Sequence, residues 1–135
     1  MDKLYEASVL AKGGRNGSVK SSDGLLDLKL AFPKEMGGDG GATNPEQLFG
    51  AAYASCFEQA VLLIAESHKI SLEDVSVTAK VAVLSDDKES FNLGVNLEVN
   101  LVGCDAPDKL VALAHAACPY SKAVKGNIHV EIKLV

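Results

Sequence analysis

Residues 44–65 of this 135-residue chain read NPEQLFGAAYASCFEQAVLLIA and predict a long buried helix. Asn44 is suited to cap the helix, Pro45 to its first position, and Gln47 to the reciprocal position of a capping box. Beyond the first turn only Glu58 carries a charge, which is typical of a helix inside a core. Because that charge would be costly in lipid, we expect no membrane span.

The residues before this helix predict a run of three strands. Leu4 to Ala11 forms the first strand, and Asn16-Gly17 is a dipeptide favoured in tight hairpin turns. Asp23-Gly24 marks a second turn, and Leu25 to Phe32 forms the third strand, which Pro33 ends. This part of the chain therefore reads as a β-meander.

The residues after the helix predict two strands, a helix and a last strand. Apolar residues alternate with polar ones in 75–83 and again in 91–101. Asp105 is predicted to cap the second helix, which Pro119 breaks or kinks, and residues 128–134 alternate again. The predicted order is β-β-β-α-β-β-α-β, an α+β fold with mostly antiparallel sheet, in a single domain of residues 1–135.

Composition excludes several classes of protein. The 13 Lys and Arg against 18 Asp and Glu give a net charge of −5, so we expect no nucleic-acid partner. The 3 cysteines are too few and odd in number for a secreted disulfide framework. Residues 1–6 show no signal peptide, which makes the cytoplasm the expected compartment. His115, Cys118 and Cys104 are weak evidence for zinc, so no metal site is expected.

A first helix with so little polar surface is awkward in a small monomer. A second copy of the chain would cover it, so we predict a homodimer.

The cysteines are the remaining place for chemistry, and two readings of them stay open. Cys56 lies within the apolar helix and Cys118 near the end of the second helix, where either thiol can be an inert core residue. A reactive Cys56 would need a cation from elsewhere in the chain. Arg15 is a candidate, and Glu46 is placed to hold it.

Four motifs, in order along the chain, resemble those of the organic hydroperoxide resistance proteins. This family is one branch of the superfamily that also contains osmotically inducible protein C. The motifs are Gly13-Gly14-Arg15-Asn16-Gly17, Asn44-Pro45-Glu46-Gln47-Leu48-Phe49, Ala54-Ser55-Cys56-Phe57 and Ala117-Cys118-Pro119-Tyr120-Ser121. The resemblance spans nearly the whole chain.

The resemblance implies a thiol-dependent peroxidase. Cys56 would attack the peroxide and become a sulfenic acid, and Cys118 would then form an intramolecular disulfide with it. Arg15 would stabilise the thiolate, with Glu46 orienting it. The family implies antiparallel sheets around central helices, an intertwined homodimer, no bound cofactor, and dihydrolipoamide or a lipoylated protein as reductant. Cys104 matches no motif and is left as a bystander.

The expected substrate is an alkyl or fatty-acid hydroperoxide. Four aromatic side chains are candidates for its pocket, although each also suits a core: Phe32, Phe49, Phe57 and Tyr120. Three alternatives remain, namely a peroxidase of the osmotically inducible branch, a non-enzymatic thiol redox sensor, and a carrier of small apolar ligands with inert cysteines. The absence of a recognisable basic DNA-contact helix counts against a transcriptional sensor.

Overall fold

The structure is a computed structural model, and it describes residues 1–87 and 89–135. The chain divides into two compact units, Met1–Leu48 and Phe49–Val135. The strands are β1 Val9–Lys12, β2 Ser18–Ser21, β3 Asp27–Lys29, β4 Asp74–Ser85, β5 Phe91–Val102 and β6 Val130–Leu134. The α-helices are α1 Pro45–Ser67, α2 Pro107–Ala117 and α3 Pro119–Val124, and short 3-10 turns span Gly14–Asn16 and Lys34–Met36.

The first unit holds an antiparallel three-stranded sheet in the order β1-β2-β3. Its strands are shorter than the sequence predicts. The first begins at Val9 rather than Leu4, because its partner strand ends opposite that residue, at Ser21. The third is confined to three residues, after which Leu30 forms an isolated parallel bridge with Thr43.

Helix α1 begins where the sequence predicts. The Asn44 side-chain oxygen accepts a hydrogen bond from the Gln47 backbone N–H at 2.9 Å, as an N-cap should. The predicted reciprocal bond is replaced, because the Gln47 side chain instead accepts from the Thr43 hydroxyl at 2.7 Å. The cap is therefore confirmed, whereas the full capping box is wrong.

The part of α1 in the second unit supplies much of that unit's core. By length and composition α1 is able to cross a membrane, since an 18-residue window has a mean hydropathy of 1.5, but a core helix passes the same test. The buried side chains favour the core, and they are Tyr53, Phe57, Ala60, Val61 and Ala65.

The second sheet has the order β4-β5-β6. Strands β4 and β5 pair antiparallel over their full length, and the predicted alternation is confirmed by Val95, Leu97 and Val99, which are buried at every second position. Strand β6 pairs parallel with β5, because the chain crosses back through two helices before it re-enters the sheet. The sheets are thus mostly, but not wholly, antiparallel.

The predicted second helix is two helices, so the element order is β-β-β-α-β-β-α-α-β. Helix α2 ends at Ala117 and α3 starts at Pro119, with Cys118 in extended conformation between them. A proline disfavours the α conformation in the residue before it, which explains the break. The predicted cap at Asp105 is wrong, because Ala106 is the N-cap residue and the Asp105 carboxylate accepts from the Ser71 backbone N–H at 3.1 Å.

Candidate active site

Arg15 lies in a 3-10 turn that its neighbouring glycines favour. The turn spans Gly14–Asn16, and Gly13 before it has φ +85°, which glycine adopts without strain. Gly17 closes it, and a Cβ there would collide with the Lys12 carbonyl oxygen. The glycines flanking Arg15 therefore permit the backbone conformation from which its guanidinium projects.

Arg15 forms a forked ion pair with Glu46 within the first unit. Nη1 of Arg15 donates to Oε2 of Glu46 at 2.8 Å, and Nη2 donates to Oε1 at 2.5 Å. The side chains are 28% and 15% exposed, so the pair is shielded from most of the solvent. The bonds from Arg15 lower the pKa of Glu46, and Glu46 raises that of Arg15 against an opposing effect of burial. Both groups are therefore charged at neutral pH.

The Arg15 guanidinium also lies over the ring of Phe32, 5.7 Å from its centroid, which is within cation–π range. The Phe32 backbone N–H donates to the Asn16 side chain at 3.2 Å, and a Cβ at Gly38 would collide with Phe32. Close packing against Gly38 and the hydrogen bond to Asn16 thus hold the Phe32 ring beside the Arg15 guanidinium. Of the predicted pocket aromatics, this is the one that contacts Arg15 within the first unit.

Cys56 and Cys118 come together within the second unit. Cys118 is close enough to Cys56 to affect the pKa of its thiol, and both thiols are free. Burial, then Cys118, raises the pKa of the Cys56 thiol, while a hydrogen bond from the Tyr120 backbone N–H acts in the opposite direction. Cys56 is half-buried and Cys118 is 0% exposed, so Cys56 is the more accessible thiol of the two.

Three aromatic rings pack in sequence beside these cysteines. The rings of Phe49 and Tyr53 meet edge to face at 6.2 Å, and Tyr53 stacks on Tyr120 at 6.0 Å. Phe49 and Tyr120 are partly accessible, as a pocket wall requires. Phe57, by contrast, lies wholly inside the hydrophobic core, which agrees with the core alternative left open for it.

Sequence reasoning overlooked a chain of hydrogen-bonded side chains that leads from the core of the second unit to its surface. The Tyr53 hydroxyl lies 2.8 Å from the Ser121 hydroxyl, which in turn lies 2.9 Å from Nδ1 of His115. Two signals were available, since Ser121 ends the fourth motif and Tyr53 lies one helical turn before Cys56. From the sequence alone, His115 is a candidate only for a metal ligand.

Cys104 is half-buried and packs against the core of the second unit. Across residues 1–87 and 89–135, no group of three or more His, Cys, Asp or Glu side chains is arranged to hold a metal ion.

Known proteins resemble this chain along its length. The family model for OsmC-like protein matches residues 38–133. Organic hydroperoxide resistance protein OhrA of Bacillus subtilis is 44% identical, with 97% of this chain and 96% of the relative covered. A crystal structure of an organic hydroperoxide resistance protein from Legionella pneumophila is 50% identical over 98% of both chains, with a TM-score of 0.94. For OhrB of Bacillus subtilis the identity is 39%, the coverage 98% and 100%, and the TM-score 0.88.

The motifs, the fold and these full-length matches agree with one another. The chain therefore belongs to the OsmC-like family and, within it, to the organic hydroperoxide resistance proteins.

Proposed function

We propose that this chain is a thiol-dependent peroxidase that reduces organic hydroperoxides to alcohols. The observation that carries the proposal is the pair of free thiols in one unit, a half-buried Cys56 and a buried Cys118 near enough to affect its pKa. Two thiols in contact are what a two-step thiol oxidation requires. The relatives' names, which specify organic hydroperoxide resistance, supply the substrate class.

The proposed reaction balances with two thiols and one hydroperoxide. The Cys56 thiolate attacks the terminal peroxide oxygen, so an S–O bond forms, the O–O bond breaks, and the alkoxide takes up a proton to leave as alcohol. Cys118 sulfur then attacks Cys56 sulfur, forming the disulfide and releasing the hydroxyl as water. The two thiol protons thus end in the alcohol and in water.

Cys56 needs help to become a thiolate, since burial and Cys118 raise the pKa of its thiol. A typical cysteine pKa of about 8.5 leaves only a few per cent thiolate at neutral pH, and a shift to about 6 requires ~3.4 kcal/mol of differential stabilisation. In our proposal Arg15 supplies this stabilisation during catalysis, and the two hydrogen bonds that it donates to Glu46 orient it. A partly desolvated guanidinium is capable of an effect of this size.

The substrate is proposed to be an alkyl or fatty-acid hydroperoxide. Phe49 and Tyr120 provide partly accessible apolar surface within the second unit, and Phe32 does so in the first. Such surface favours a substrate with a hydrocarbon tail over hydrogen peroxide, which has none. Phe57 is buried in the core and offers no accessible surface of its own.

The catalytic cycle closes when an external dithiol reduces the Cys56–Cys118 disulfide. We propose dihydrolipoamide or a lipoylated protein as that dithiol, without a bound cofactor or metal. Such a cycle suits the cytoplasm, where thiols are kept reduced.

We also propose that the working form is a homodimer. All four residues of β1 are exposed, although a strand normally buries one face. Large apolar side chains are exposed in both units, among them Leu10, Leu25, Leu63 and Phe91. A second copy of the chain would cover this surface.

Consumption of cumene hydroperoxide in the presence of dihydrolipoamide tests the function. We expect catalytic turnover by the wild type and by Cys104→Ser, the matched control, and none by Cys56→Ser. A much lower rate with hydrogen peroxide would separate this substrate class from the osmotically inducible branch. Thiol oxidation without turnover would favour a redox sensor, and no oxidation at all would leave a carrier with inert cysteines.

A further inference from the structure

The buried thiol of Cys118 poses a problem of proton transfer. Its side chain is 0% exposed, yet its sulfur has to lose a proton when it attacks oxidised Cys56. The apolar side chains around it in the core of the second unit offer no proton acceptor. A polar path from this site to solvent would remove the difficulty.

The chain of Tyr53, Ser121 and His115 has the form of such a path. Tyr53 is 0% exposed and Ser121 is 2% exposed, whereas His115 lies at the surface of α2. The two links measure 2.8 and 2.9 Å, both of hydrogen-bond length. The path therefore runs from inside the core to the surface without a gap.

Its inner end lies against the segment that carries Cys118. The Tyr53 ring stacks on Tyr120, and its hydroxyl bonds to Ser121, so Tyr53 contacts the two residues that follow Cys118-Pro119. Burial raises the pKa of the Tyr53 phenol, the hydrogen bond with Ser121 lowers it, and negative charge on Cys118 or Cys56 raises it further. A phenol there is able to accept a proton while passing its own to Ser121.

Its outer end opens into a surface groove. The groove has a volume of about 270 Å³ and is lined by Ala112, His115, Ala116, Ser121, Lys122 and Lys125. Here the His115 ring is exposed to solvent, which allows it to exchange protons with water.

We propose that Tyr53, Ser121 and His115 form a proton relay between the buried Cys118 thiol and solvent. The inference rests on the proposed function, because it serves the step in which the disulfide forms. The Cys118 proton moves to the Tyr53 oxygen, the Tyr53 proton to Ser121, and the Ser121 proton to Nδ1 of His115, in the tautomer that carries its proton on Nε2. His115 then releases one proton from Nε2 to water. The hydroxide that leaves Cys56 takes one proton from water, so no net proton is gained or lost.

Rapid mixing with cumene hydroperoxide separates the two chemical steps, since Cys56 sulfenic acid forms first and the disulfide second. We expect Tyr53→Phe and His115→Gln to slow disulfide formation at least ~10-fold and to accumulate sulfenic acid, with the first step unchanged. Added imidazole should restore the rate of His115→Gln through the groove, but not that of Tyr53→Phe. His68→Gln, at another exposed histidine, is the control and should behave as the wild type.

Two results would overturn the relay. One is wild-type rates of disulfide formation in both variants. The other is an equal slowing of both steps with no rescue by imidazole, as expected if the three residues only support the fold. Failure of the proposed function is distinguishable from either result, because the wild type itself would then form no disulfide with peroxide.

Discussion

Both carboxylate oxygens of Glu46 accept a hydrogen bond from the one guanidinium of Arg15, at 2.8 and 2.5 Å. Such forked pairing fixes the plane of the arginine as well as its position, which a single-point contact with lysine would not do. The Arg15 side chain therefore loses its conformational entropy when the protein folds and not when substrate binds.

Loss of the fork should slow peroxide reduction while leaving the fold intact. Glu46→Gln keeps the shape of the side chain but removes its charge and one acceptor, so Arg15 is no longer held in place. We expect the rate of peroxide reduction to fall ~10-fold, and by ~100-fold in Arg15→Ala, where the stabilising cation itself is lost. Stopped-flow measurement of Cys56 oxidation checks both values.

Glu98→Gln is the matched control, because Glu98 also forms an ion pair, with Lys80 on the second sheet. The Lys80 side chain is largely exposed. This variant should react at the wild-type rate. If Glu46→Gln also did so, the fork would have no part in catalysis.

The same ion pair should contribute to stability in a pH-dependent way. Arg15 lowers the pKa of Glu46 in the folded protein, so the stabilisation is present above the usual glutamate pKa and is lost as pH falls through the lower, folded value. Urea unfolding between pH 6 and ~3 measures it. We expect Glu46→Gln to lose less stability on acidification than the wild type, by on the order of 1 kcal/mol.

Other carboxyl groups with lowered pKa, including Asp23 and Glu98, should still give the variant some acid sensitivity. Parallel acid curves for wild type and Glu46→Gln would contradict the prediction.

The N-cap of α1 should contribute measurably to stability. Asn44→Ala leaves the Gln47 backbone N–H without its side-chain acceptor, and such a loss typically costs ~1 kcal/mol. The urea midpoint should fall accordingly, whereas Asn44→Asp, which keeps an acceptor oxygen, should stay close to the wild type. An unchanged midpoint in Asn44→Ala would show that the cap is energetically unimportant.

The sequence predicted those features that depend on neighbouring residues. It did not predict those that depend on contacts between residues far apart in the chain. Asn44 and Pro45 mark the start of α1 because capping depends on adjacent residues. Asp105 is equally suited to capping, yet it bonds to Ser71, a residue distant in sequence that no local pattern reveals. The β1 start at Val9 likewise depends on where its partner strand ends.

The candidate site likewise combines residues that the sequence indicates with contacts that only the fold reveals. The family resemblance predicts that Cys56 and Cys118 react together. Their spacing alone leaves it open whether the two thiols are inert or reactive. The contact between Tyr53 and Ser121 joins residues 68 positions apart, so it became visible only in three dimensions.

The proposed dimer is tested by the mass of the protein in solution. We expect light scattering at micromolar concentration to give twice the chain mass of 14.1 kDa, because a partner is needed to cover the exposed apolar residues. The chain mass itself would contradict the proposal.

Disulfide mapping after oxidation is the most direct test of the central claim. Reduced protein is mixed with one equivalent of cumene hydroperoxide, quenched within seconds with a thiol-alkylating reagent, and analysed by mass spectrometry. The account predicts a Cys56–Cys118 disulfide within one chain and an alkylated Cys104, whereas Cys118→Ser should consume one peroxide per chain and then stop. Unchanged thiols at both Cys56 and Cys118 would contradict it.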